Sequence, residues 1–109
     1  MDRYYADLNP RALDTPWGPA ESVQDIGAGI LHVTTASHGG YFVPRELNAL
    51  IPLAWRTHTF VARGMIGWYE EDCDWCLVAL AFPTTFPPPH AADAAKRMFD
   101  ATIAKKIGR

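Results

Sequence analysis

Cys73 and Cys76, spaced as C-x-x-C, are the residues whose type and spacing first suggest chemistry. Such a pair serves structural zinc or thiol–disulfide exchange. Zinc wants four tetrahedral ligands, and the chain has no second C-x-x-C. Two of His32, His38, His58 and His90 could complete a Cys₂His₂ set, but their spacing fits no finger pattern. Redox exchange wants a thiolate stabilised by positive charge, whereas Glu70, Glu71, Asp72 and Asp74 crowd these sulfurs with negative charge. The plainer reading is two small core residues in a reducing compartment. No metal or other cofactor is therefore expected, with Cys73 and Cys76 as the alternative metal ligands.

The acids beside them form a second candidate. Glu70, Glu71, Asp72 and Asp74 fall within five residues, and could supply general acid–base groups, hard-metal ligands or a patch for a basic partner surface. At the start of a helix they would also complement its dipole. His38 is the best single partner for catalysis. It sits in Ser37–His38–Gly39–Gly40, where the glycines let a ligand or a backbone approach closely, although such a run is also good turn chemistry. A small hydrolase or metal-dependent enzyme would pair His38 with Glu70, Glu71 or Asp72. The discriminating observation is whether the imidazole lies in direct or one-water reach of a carboxylate. No nucleophile elbow, phosphate loop, dinucleotide fingerprint or H-E-x-x-H occurs.

The elements that must position these groups can be read in outline. Glu21–Ile26, Ile30–Ala36 and Tyr41–Val43 read as an antiparallel meander broken by Gly27–Ala28–Gly29 and by a turn at Ser37–Gly40. In the second strand Leu31, Val33 and Thr35 share one face, and Ile30, His32, Thr34 and Ala36 the other. Helical spacing follows Pro44, with Pro52 expected to kink or split it. Thr57–Ala62 reads as a short strand. A second helix is expected from near Glu70, and the apolar run Trp75–Phe82 is helix or central strand, with helix favoured. Ala91–Ile107 is an amphipathic helix carrying Ala95, Met98, Phe99, Thr102 and Ile103 on one face, an Asp93–Arg97 pair and Gly108 as its terminator. Thr15–Pro16–Trp17–Gly18–Pro19 excludes regular structure, and Trp17 is expected to anchor that irregular arm to the body.

These elements describe one α+β domain over residues 1–109: a three- or four-stranded antiparallel sheet packed by two or three helices. Residues 1–14 form an irregular arm, 83–89 a stiff Pro-rich connector and 90–109 the C-terminal helix. The 109 residues carry ten basic and twelve acidic groups, a net charge of −2, which argues against direct nucleic-acid binding. The sign is uneven. Residues 1–89 hold five basic and ten acidic groups, and 90–109 hold five basic and two acidic ones. No apolar run approaches the roughly 20 residues of a membrane span, and Met1–Asp2–Arg3 opens no secretory leader, so the cytoplasm is the expected compartment. The sequence leaves the oligomeric state open.

Thr15–Pro16–Trp17–Gly18, Ser37–His38–Gly39–Gly40, Trp68–Tyr69–Glu70–Glu71–Asp72, Asp74–Trp75 and Phe82–Pro83 occur in that order. The set resembles a domain of unknown function found in proteobacterial phages, plasmids and integrated elements, and spans about residues 15–86. The resemblance implies a genetic context rather than a chemistry. Small proteins of such elements often bind and block a host machine, as anti-CRISPR and antirestriction proteins do. The leading expectation is accordingly a non-enzymatic interaction protein, an inhibitor of a bacterial defence complex. Glu70, Glu71, Asp72 and Asp74 would then meet the basic surface of a nucleic-acid-binding partner.

Overall fold

A computed structural model describes residues 14–59, 66–86 and 90–108. The chain forms β1 (Asp14–Thr15), β2 (Gly18–Pro19), β3 (Ser22–Gly27), β4 (Ile30–Thr34), β5 (Gly39–Phe42), α1 (Arg45–Asn48), α2 (Leu53–Arg56), β6 (Trp68–Glu70), α3 (Trp75–Ala81), a 3₁₀ turn (Pro83–Thr85), α4 (His90–Ala101) and α5 (Ile103–Ile107). β3, β4, β5 and β6 form one antiparallel sheet in that order, and β1 pairs with β2 in a small ribbon. This is the α+β architecture expected, with the meander extended by a fourth strand. No helix among the described residues is long and apolar enough to cross a membrane.

Side-chain alternation sends β4 into two cores. Ile30 joins Val43, Ile51, Tyr69, Cys76, Leu77, Val78, Ala95 and Ile103 beneath the helices. Leu31 and Val33 face the other way, with Phe42 and Trp68, and are covered by Trp17, Ala20 and Val23. Each large apolar side chain so buried contributes about 1.5–3 kcal/mol. The result is a sheet with helices on one face and the arm around β1 and β2 on the other. Trp17 anchors that arm as expected. The Thr15–Pro19 segment is nonetheless regular: Asp14 pairs with Pro19 and Thr15 with Gly18, and the Thr15 hydroxyl donates to the Gly18 carbonyl at 2.7 Å.

Several expectations change on contact with the structure. Pro52 does split its helix, into α1 and α2. Thr57 caps α2 rather than opening a strand, and 60–62 lie outside the described residues. Glu70 does not start a helix. It ends β6, paired with Gly40, and α3 begins only at Trp75. Trp75–Ala81 forms the helix favoured for the apolar run. Pro83–Thr85 is a 3₁₀ turn rather than an extended connector, while 1–13 and 87–89 lie outside the described residues. The C-terminal helix breaks at Thr102, whose hydroxyl donates to the Met98 carbonyl at 2.7 Å and whose φ and ψ leave the helical region. Back-bonding of this kind bends helices. Its surface ion pair is Lys96–Asp100 at 3.2 Å, in place of the expected Asp93–Arg97. Gly108 ends it in a right-handed conformation.

Candidate functional site

The site forms where the β4–β5 hairpin meets the end of β6. Thr35 and His38 close that hairpin: the Thr35 N–H and hydroxyl both donate to the His38 carbonyl, each at 2.8 Å, around the two-residue tip Ala36–Ser37. Gly39 and Gly40 are therefore strand residues, and neither has a positive φ. They are glycines for want of room. A Cβ on Gly39 would sit 2.7 Å from the Glu71 Oε1 and 2.9 Å from the Val33 carbonyl oxygen. One on Gly40 would run into the Trp17 indole and the Tyr69 carbonyl.

The register then decides which acid meets the histidine. Gly40 pairs with Glu70, so the carboxylate of Glu70 projects on the face that carries His38, Phe42, Trp68 and Trp17. His38 Nε2 lies 3.5 Å from Glu70 Oε2. The imidazole side chain is 29% exposed and the carboxylate 5%. Glu70 Oε1 turns the other way and accepts the Cys73 N–H at 2.6 Å and the Asp74 N–H at 3.5 Å. The backbone turn thus fixes the buried carboxylate and leaves its second oxygen to His38. Trp17 packs edge-on against the imidazole, with ring centroids 5.8 Å apart.

Asp72 completes the cluster. One donor atom each from His38, Glu70 and Asp72 lie within 4.8 Å of one another. Among the described residues this is the one such group of three or more His, Cys, Asp or Glu. Glu71 goes elsewhere, lying over Gly39 on the helix-side face, where its charge reaches Tyr41. Asp74 is buried at the start of α3. The five-residue acidic run is thus divided by the fold: Glu70 and Asp74 lie inside, while Glu71 and Asp72 are exposed.

Cys73 and Cys76 gather no such ligand set among the described residues. Cys76 is fully buried in the helix-side core. Burial, then the neighbouring Asp74 and Cys73, push its thiol from the ordinary 9.0 up to about 12. Desolvation, followed by Glu70, Asp74 and Asp72, also raises Cys73. The thiolate is the reactive form. At pH 7.5 iodoacetamide should therefore leave Cys76 of the native chain unmodified while labelling both thiols of the urea-unfolded chain. Rapid native labelling at Cys76 would contradict this burial. The linkage has a definite sign. Above pH 9 the unfolded chain releases the Cys76 proton and the folded chain keeps it, so this thiol lowers stability as pH rises from 9 towards 12.

Comparison with known proteins adds one finding. The family model of the domain of unknown function DUF7007 matches residues 10–107. The match takes in α4 and α5, which lie beyond the stretch that carries the motif resemblance. No curated protein and no solved structure matches the chain.

Proposed function

The chain belongs to the DUF7007 family of domains of unknown function, and we propose from its site that it is a small metal-dependent enzyme, hydrolytic in class, whose divalent cation is held by His38, Glu70 and Asp72. The observation that carries this reading is the convergence of their three donor atoms within 4.8 Å. Donors bound about 2.1 Å from one ion lie about 3.0–3.4 Å apart at octahedral or tetrahedral angles. The 3.5 Å between His38 and Glu70 is already close to that, and the donor oxygen of the exposed Asp72 lies within 4.8 Å of both. The Cys73 and Asp74 amides orient Glu70 much as outer-shell partners orient metal ligands. One imidazole with two carboxylates suits Mn²⁺, Fe²⁺ or Zn²⁺ better than softer ions. Three protein ligands leave positions open for water and substrate, and a bound ion would make that water a nucleophile near neutral pH.

Calorimetric titration with Mn²⁺ and Zn²⁺ tests the proposal. One equivalent should bind saturably, with a change in tryptophan fluorescence because Trp17 touches His38. Asp72 is exposed, so Asp72→Asn should keep the fold by circular dichroism and weaken binding at least tenfold. A chain that binds neither ion at millimolar concentration, or an Asp72→Asn variant that binds as well as the parent, overturns the metal reading.

A second reading is the interaction protein of a phage or other mobile element that blocks a defence complex in the host cytoplasm. The observation that favours it is Leu50 and Leu53, which flank Pro52 at 67% and 63% exposure, since protruding aliphatic side chains suit an interface core. Its acidic contribution would come from Glu71 and Asp72. Failure of the metal titration, together with a host protein retained by the tagged chain and lost on Glu71→Lys, is the outcome this reading expects.

A further inference from the structure

A second concavity lies on the helix-side face of the sheet and shares no lining residue with the His38 cluster. It measures about 560 Å³ and runs between β3, β4 and β5 on one side and Thr84–Phe86 on the other. Pockets for small ligands run to roughly 300–1,000 Å³. The register fixes which side chains face it. Gln24 pairs with His32 and His32 with Tyr41, so the three stand in one cross-strand row on the face where Tyr41 meets the helix-side core. Asp25 pairs with Leu31 and sends its carboxylate to the opposite face. His32 and Tyr41 stack with centroids 4.8 Å apart at 19°, and Phe86 stands against Tyr41 at 5.1 Å and 56°. One face of the imidazole thus meets Tyr41 on β5, and its other face is turned towards β3 and Gln24.

We infer that this groove binds a planar nitrogen heterocycle, the base of a free nucleoside such as adenosine, stacked on His32 and read at its edge by Gln24. Shape is the first reason. The cross-strand row begins a stack at Tyr41 and His32 and ends it at Gln24, which is no ring, so a flat ligand on the β3 side of the imidazole continues it. Bases stack on His, Tyr and Phe side chains in this way. Polar chemistry is the second reason. The Gln24 side chain is exposed and makes no hydrogen bond among the described residues. Its amide holds an N–H donor beside a carbonyl acceptor, the pair that complements N7 and the amino group of adenine. Thr84 and Thr85 line the other wall, within the groove's reach of a sugar; the Thr85 hydroxyl donates to the Phe82 carbonyl at 2.7 Å and keeps its oxygen as an acceptor. Charge selects the source of the base. No Lys or Arg stands among the described residues that line the groove. Glu71 adds negative charge beside Tyr41, whose phenol is raised by burial first and by Glu71 second. Phosphates are repelled there, whereas an uncharged nucleoside is not.

The inference does not depend on a metal at His38, and its test is separate. Adenosine is titrated into ¹⁵N-labelled protein, beside purine riboside, ribose, adenosine monophosphate and the single strand dA₆. Saturable shifts should concentrate at Gln24, His32, Tyr41 and Thr84–Phe86 with adenosine. Purine riboside, which lacks the amino group, should bind at least fivefold more weakly, and ribose should not bind. The monophosphate and dA₆ should each bind at least fivefold more weakly per base. His32 is only half-buried, so His32→Leu should keep a native spectrum while adenosine affinity falls at least tenfold, and His32→Phe should restore it. Gln24→Ala should erase the preference for adenosine over purine riboside. Absence of saturable shifts at millimolar adenosine overturns the inference, and so does unchanged affinity in a folded His32→Leu protein. Equal binding of ribose would mark a sugar site, and tighter binding of dA₆ a single-strand site; either result also overturns it.

Discussion

Gly40→Ala is expected to destabilise the domain by about 3 kcal/mol or more, which for a domain of this size lowers the melting temperature by roughly 15 °C. The added methyl group meets two things at once. One is the Trp17 indole, which roofs the core of Leu31, Val33, Phe42 and Trp68; the other is the Tyr69 carbonyl of the neighbouring strand. The indole could lift only by uncovering that core, and the carbonyl belongs to the sheet ladder, so neither yields cheaply. Gly39→Ala should cost less, about 1–2 kcal/mol, because one of its clashes is with the movable end of Glu71 and only the Val33 carbonyl is fixed. Adding Trp17→Ala to Gly40→Ala should not rescue the fold, since it leaves the Tyr69 clash and removes the roof. Thermal melts of the four proteins decide the matter. A Gly40→Ala chain melting within about 3 °C of the parent would mean that Trp17 does not seat on that strand.

The same glycines show where sequence reasoning reaches and where it stops. Ser37–Gly40 announces a hairpin, and the hairpin is there. Paired glycines after a histidine suggest a left-handed turn, however, and only the contact with Trp17, more than twenty residues earlier, shows that they mark a notch. Local patterns carried the meander, the split at Pro52 and the amphipathic face of the last helix, because each depends on neighbours within a few residues. Glu70 shows the opposite case. Three acids before an apolar run look like a helix start, but cross-strand pairing to Gly40 holds Glu70 in β6, and its carboxylate then caps the turn ahead of α3. Tertiary pairing overrode local preference there, as it commonly does.

Much of the candidate site was visible as parts and not as a whole. His38 and the acidic run each stood out by residue type. Their meeting depends on β6 docking beside β5 after a detour through α1 and α2, a connection that no spacing rule encodes. Which acid would meet the histidine was also illegible. Alternation along β6 and the following residue sends Glu70 to one face and Glu71 to the other, and that parity follows only from the register Gly40–Glu70.

Two replacements at Glu70 separate its work in the fold from its work as a ligand. Glu70→Ala should cost about 2–4 kcal/mol in denaturant unfolding. It strips the Cys73 N–H of a charge-assisted acceptor at 2.6 Å and leaves a void beside His38 in a place where the carboxylate is nearly inaccessible. Glu70→Gln keeps the shape and one carbonyl oxygen. That oxygen can go on accepting the Cys73 N–H, so the loss of stability should stay within about 1 kcal/mol. The amide then turns its NH₂ towards His38, where a cation needs an oxygen, and Mn²⁺ or Zn²⁺ affinity should fall at least a hundredfold. If both variants unfold alike, the charge itself holds the turn, and Glu70 serves the fold before any ligand. If Glu70→Gln is stable and still binds the ion as the parent does, Glu70 is no ligand. Only a stable Gln variant without metal, beside a destabilised Ala variant, fits a carboxylate whose two oxygens serve the turn and the cation separately.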